Sequence, residues 1–165
     1  QLSFLPGLLR GVGFSGNYSY ITSEAKRVNQ FRTDSPALLR QAPNTWNLSP
    51  TYDRGPLSIR AGFSYNGANI YQYQYENLNS DGTPNPQVNG TKGPAGDNYL
   101  YAHLQIDAQA TYRVPHGFFV YVSGLNLNNE VFGFYNGSPE YVVQREYYKP
   151  TYSFGVRWAS GSEKK

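Results

Sequence analysis

The sequence predicts an all-β fold of long antiparallel strands, a segment of a transmembrane β-barrel, and three observations predict it. Apolar and polar residues alternate with period two through six segments. No run approaches the about 18 apolar residues of a membrane-crossing helix. The connections between segments alternate long and short along the chain.

The first strand lies within Gly11 to Thr22, with Val12, Phe14, Gly16, Tyr18 and Tyr20 on one face and Gly13, Ser15, Asn17 and Ser19 on the other. Thr45 to Asp53 repeats the pattern, setting Trp46, Leu48, Pro50 and Tyr52 against Thr45, Asn47, Ser49 and Thr51. Pro50 lacks an N–H for the ladder, so this strand should be locally irregular. A single long strand is predicted from Leu57 to Tyr73, its apolar set running Leu57, Ile59, Ala61, Phe63, Tyr65, Tyr71 and Tyr73.

Leu100 to Val114 alternates most regularly, with Leu104, Ile106, Ala108, Ala110 and Tyr112 opposite His103, Gln105, Asp107, Gln109, Thr111 and Arg113. Phe118 to Asn128 is less regular. Setting Phe119, Tyr121, Leu125 and Leu127 on the apolar face leaves Phe118, Val120 and Val122 on the polar one. Thr151 to Trp158 closes the series, with Tyr152, Phe154, Val156 and Trp158 apolar.

Long connections are predicted over 23–42, 74–98 and the roughly 20 residues between the fifth and sixth strands. Short turns are predicted at Asp53-Arg54-Gly55-Pro56 and Pro115-His116-Gly117. Long loops then share one sheet edge and short turns the other, as extracellular loops and periplasmic turns do in outer-membrane barrels, and both chain ends fall on the periplasmic side. The stretch 76–98 is hydrophilic, rich in Asn, Gly, Pro and Asp.

Composition allows more than one class. Mean hydropathy is −0.61, 39% of residues are hydrophobic, and the 16 Tyr, 9 Phe and 2 Trp make the chain 16% aromatic. Tyrosine suits a boundary between hydrocarbon and water, but a tyrosine-rich soluble β-sandwich or surface-binding module fits the composition equally well. Strand length separates them: segments of about 9 to 17 residues exceed the five or six usual in soluble sheets and suit tilted spanning strands. Six strands cannot close a membrane barrel alone, so the remaining strands must come from the same polypeptide or another chain.

With no cysteine, disulfides, thiolate metal sites and a cysteine nucleophile are excluded. The formal charge of +3 is dispersed, which argues against nucleic-acid binding. The first residues lack the charged start and apolar stretch of a signal peptide, so the expectation is a removed leader or a chain beginning partway through a larger protein. Residues 1–158 read as one barrel segment and 159–165 as a short polar tail.

Three stretches resemble the C-terminal region of TonB-dependent outer-membrane receptors: Arg40-Gln41-Ala42-Pro43-Asn44-Thr45-Trp46-Asn47-Leu48, Ser123-Gly124-Leu125-Asn126-Leu127-Asn128-Asn129-Glu130, and Tyr152-Ser153-Phe154-Gly155-Val156-Arg157-Trp158. That resemblance implies the last six strands of a barrel of about 22. It also implies active uptake of a scarce ligand such as an iron chelate, cobalamin or an oligosaccharide. The implied partners are the remaining strands, the plug, outer-membrane lipid and, through the plug alone, a periplasmic energy-coupling protein. The family commonly stops at its terminal aromatic, whereas here Trp158 is followed by Ala159-Ser160-Gly161-Ser162-Glu163-Lys164-Lys165.

No catalytic or metal site and no cofactor are expected. His103 and Asp107 share a strand face four residues apart, about 13 Å, too far for a dyad. Arg60, Asp107, Arg113 and Arg157 are expected to face the lumen. Tyr18, Tyr20, Trp46, Tyr71, Leu104, Ile106, Phe154 and Trp158 are expected to face lipid or form interfacial girdles. Ligand contact is expected from extracellular loop residues Tyr135, Arg145, Tyr147 and Tyr148. A structural subunit forming a barrel wall with partner chains, and a soluble β-domain binding carbohydrate or protein, are the competing readings.

Overall fold

The structure is a computed structural model that describes residues 4, 6–28, 34–74, 81 and 95–160. It is all-β and antiparallel, apart from short 3-10 turns at Gly7–Gly11 and Pro115–Gly117. The ten strands among the described residues are β1 (Val12–Tyr20), β2 (Asn44–Arg54), β3 (Leu57–Asn66), β4 (Asn69–Gln72), β5 (Asn98–Leu100), β6 (His103–Val114), β7 (Phe118–Leu125), β8 (Val131–Asn136), β9 (Val142–Tyr147) and β10 (Thr151–Trp158). Six form one sheet in the order β1-β2-β3-β6-β7-β10, and four form a smaller sheet in the order β4-β5-β8-β9.

The chain meanders, and its later strands each cross from one sheet to the other. β3 ends at Asn66 and resumes as β4 after Gly67-Ala68, so the long strand over Leu57 to Tyr73 is broken. β5 and β6 are separated in the same way at Tyr101-Ala102. The connection between the fifth and sixth long strands is not a loop, because it holds β8 and β9. Short strands with mixed polarity, such as VVQREY, carry too little alternation to stand out in a sequence.

Registry across the large sheet produces two continuous faces. Tyr18 is paired with Trp46 and Trp46 with Tyr65, Tyr65 with Leu104 and Phe63 with Ile106. Ala110 is paired with Val122 and Val122 with Phe154, while Phe118 meets Trp158. One apolar face therefore runs unbroken over all six strands. β7 takes the parity opposite to that expected: Phe118, Val120 and Val122 lie on the apolar face, whereas Phe119 and Tyr121 join Arg113, Thr111, Gly155 and Arg157 on the polar one. The aromatics on the polar face have a packing role, since the Tyr121 ring lies where a Cβ on Gly155 would be, 2.5 Å from its hydroxyl oxygen.

Short turns and both described chain ends occupy the same sheet edge, as the alternation predicted: Val12 pairs with Tyr52 beside the turn between β2 and β3, and Ala159 N–H donates to the Gly117 carbonyl. Gly55 sits in the first of these turns at φ 58 and His116 in the second at φ 64. At Ser49 and Pro50 the ladder from β2 to β3 is interrupted while the register is kept, the irregularity expected of proline. The hydrophilic stretch over 76–98 lies mostly outside the described residues, as does most of the tail over 159–165.

No layer of described residues covers the apolar face. Among the described residues the buried hydrophobic side chains are Ile70, Tyr73 and Tyr135, all at the small sheet, while Phe154 is 89% exposed and Phe14 67%. No closed barrel forms among the described residues: β1 and β10 stand at opposite ends of the strand order, each paired on one side.

Candidate functional site

The small sheet and the loop over 34–43 form a compact polar and aromatic head at the long-loop edge. Tyr135 is stacked on Tyr99 with centroids 5.2 Å apart and contacts Tyr101 at 4.7 Å. Tyr71 meets Phe134 edge-on at 4.8 Å. Tyr73 donates its hydroxyl proton to the Ala37 carbonyl at 2.6 Å, and Tyr101 donates to Pro139 at 2.5 Å. Asp97 is fully buried and accepts the Gln74 N–H at 2.7 Å. Arg40 N–H donates to the Ile70 carbonyl at 2.7 Å, which fastens the loop to β4.

A groove of about 640 Å³ opens where the two sheets meet, lined by Thr45, Asn66 and His103 from the large sheet and by Asn69, Tyr71, Leu100, Tyr101, Phe132, Arg40 and Gln41 around the head. That volume lies within the range of small-molecule sites, roughly 300–1,000 Å³. The Arg40 guanidinium lies 4.7 Å from the Tyr71 ring centre, and that of Arg145 lies 5.0 Å from Tyr101. His103 Nδ1 lies 3.3 Å from the Val131 carbonyl.

The four expected ligand contacts separate in the structure. Tyr135 is only 7% exposed, so it belongs to the core of the head and is not an exposed loop residue. Arg145 reaches Tyr101 at the groove. Tyr147 and Tyr148 are exposed, and Tyr148 donates its hydroxyl proton to Glu146. This bond to a carboxylate holds the Tyr148 pKa above its ordinary value. Burial, followed by the neighbouring Tyr101, raises that of Tyr135.

Tyr135 must stay neutral to remain buried. Its stabilisation is present in full below the ordinary tyrosine pKa of about 10 and is lost as pH rises through the raised folded value. Alkaline titration followed by tyrosinate absorbance and near-ultraviolet circular dichroism should show loss of the head's aromatic signal in the same late step that ionises Tyr135, and Tyr135→Phe should remove that step. A head that holds its signal throughout would refute the assignment.

Arg60, Asp107, Arg113 and Arg157 all lie on the polar face by register. Arg60 pairs with Asp53 at 3.4 Å, Asp107 accepts from Gln105 at 3.0 Å and from Asn126 N–H at 2.8 Å, and Arg157 lies 4.7 Å above Phe119. Tyr18, Tyr20, Trp46, Leu104, Ile106, Phe154 and Trp158 share the apolar face. Tyr71 does not join them. The break at Gly67-Ala68 turns β4 out of the large sheet, and Tyr71 lines the groove with the polar-face residues Thr45, Asn66 and His103.

The groove was only partly foreseeable. Arg40 and Gln41 stand inside the first family-like stretch, and Tyr101 interrupts the alternation of its segment, a sign of a strand break. Phe132 carries no such signal. No protein-family model, curated protein or solved structure matches the chain.

Proposed function

We propose that this chain supplies the closing strands of an outer-membrane β-barrel of the TonB-dependent receptor type and acts in ligand uptake, without enzymatic activity. The observation that carries the reading is the uncovered apolar face, six strands wide and backed by a polar one. A soluble sheet buries such a face against a second layer. Tyr18, Trp46 and Tyr65 stand level with one another toward its loop end, and Phe118 and Trp158 toward its turn end. From Leu104 to Val114, β6 advances about 34 Å along the strand, or about 26 Å at a tilt near 40°, close to the apolar band of membrane barrels.

In this reading the polar face and groove look into the barrel, the short turns and both described ends are periplasmic, and lipid covers the apolar face. The rest of the receptor supplies the other strands and the plug, through which energy would be delivered. The open edges of β1 and β10 equally fit a structural wall subunit completed by partner chains. Intact mass and subunit composition of the native detergent-extracted assembly separate the two, since a receptor brings a plug and a wall subunit does not.

The chain's two tryptophans, Trp46 and Trp158, stand at opposite ends of the apolar face. Returned to vesicles of brominated lipid, the native assembly should show both quenched more by bromines near the headgroups than by bromines at the acyl-chain ends, with Trp46→Phe and Trp158→Phe variants assigning each signal. Emission insensitive to bromine at either depth would exclude lipid from this face.

A further inference from the structure

We propose that the groove at the junction of the two sheets binds a hydroxylated carboxylate, of the acidic-sugar or hydroxy-acid type, with Arg40 taking the carboxylate and Thr45, Asn66 and Asn69 meeting the ligand's hydroxyls. The proposal deepens the receptor reading by naming the ligand class of the interior-facing groove, and it rests on that reading for its biological role.

Three observations converge on this chemistry. No carboxylate lines the groove among the described residues, whereas Arg40 and His103 do. A cation or zwitterion would therefore leave an ammonium unpaired, while an anion is matched. Arg40 is held at φ 58, an uncommon conformation for a residue with a side chain, and its guanidinium carbon lies over the Tyr71 ring. A contact with a ring face uses no hydrogen-bond acceptor, so the guanidinium's N–H donors can take a carboxylate through two parallel hydrogen bonds.

An adjoining groove of about 540 Å³ shares Ile21, Gln41 and Asn69 with the first. The amides of Asn66 and Asn69 and the hydroxyl of Thr45 supply the mixed donors and acceptors that a polyhydroxylated ligand matches. Inorganic phosphate would engage Arg40 but brings no comparable set of hydroxyls.

The test uses the native detergent-solubilised assembly, titrated calorimetrically with glucuronate, glucose and inorganic phosphate in turn. Glucuronate should bind at least about tenfold more tightly than either of the others, a gap of about 1.4 kcal/mol. Arg40→Gln should remove that advantage over glucose, and Asn66→Leu should narrow the advantage over phosphate. Circular dichroism and the Trp46 and Trp158 quenching profile establish that each variant is folded.

Equal binding of glucuronate and glucose, undiminished binding in Arg40→Gln, phosphate binding as tight as glucuronate, or no glucuronate binding would each overturn the proposal. Bromine quenching of both tryptophans in an assembly that ignores glucuronate would defeat this inference alone. Glucuronate binding without quenching would defeat the membrane reading and leave the groove's chemistry standing.

Discussion

Ile106→Arg should destabilise the protein in a lipid bilayer by about 1–3 kcal/mol, whereas Gln109→Glu, three positions along the same strand, should change stability by less than about 0.5 kcal/mol. Ile106 pairs with Phe63 on the apolar face, one alternation below Leu104. Gln109 pairs with Arg60 on the opposite face. Leu104 lies at the level of Trp46 and Tyr65, whose rings are stacked 5.5 Å apart. An arginine there can extend to the interface with its charge in water, so Leu104→Arg should cost only about 0–1 kcal/mol. Guanidinium unfolding of the membrane-reconstituted assembly gives all three values. The ordering Ile106 well above Leu104, with Gln109 near zero, is a depth profile that lipid imposes. Similar costs at Ile106 and Leu104 would indicate a protein layer over this face, and a negligible cost at Ile106 would mean that the face meets water.

How much of this was legible in the sequence follows from how each element is held. Period two marks strands whose two faces meet different media, and β1, β2, β3, β6 and β10 were readable for that reason. β7 misled because its polar face carries Phe119 and Tyr121. Those rings serve neighbours across the sheet, Arg157 at 4.7 Å and Gly155 beneath Tyr121, and local alternation cannot distinguish a ring that packs on arginine or glycine from one that meets hydrocarbon. β8 and β9 were hidden because they belong to a sheet with a core of its own, where Tyr135 is buried by stacking on Tyr99. Tyr71 was assigned to the wrong surface by extending one alternation through Gly67-Ala68, where the chain leaves the large sheet. Arg40 and Gln41 were visible as part of a family-like stretch, but the groove that joins them to Tyr71, 30 and more residues along the chain, exists only after β4 and β5 pair.

The Asn-rich stretch after β7 explains how one long strand passes between two sheets without leaving its neighbour unpaired, and it supports a second large effect. Asn126 and Asn129 have φ 54 and 47, turning the chain away from β6, a conformation that asparagine tolerates better than most residues. Asn126 Oδ1 accepts the Glu130 N–H at 2.8 Å and fixes this turn. Side chains then take the place of the missing strand. Asn128 Oδ1 accepts the Ile106 N–H at 3.1 Å, its Nδ2 donates to the Leu104 carbonyl at 2.5 Å, and Glu130 Oε1 accepts the Leu104 N–H at 3.0 Å.

The amide of Asn128 thus presents β6 with one donor and one acceptor, as a peptide unit would. Asn128→Leu should remove two exposed hydrogen bonds to β6 at about 0.5–1.5 kcal/mol each, a total of about 1–3 kcal/mol. Hydrogen exchange localises the change: the Ile106 amide should lose protection in Asn128→Leu while Leu104, held by Glu130, keeps it. Glu130→Leu should reverse that assignment. Unchanged Ile106 protection in the Asn128 variant would show that the ladder does not depend on this side chain, and the break between the sheets would then need another support.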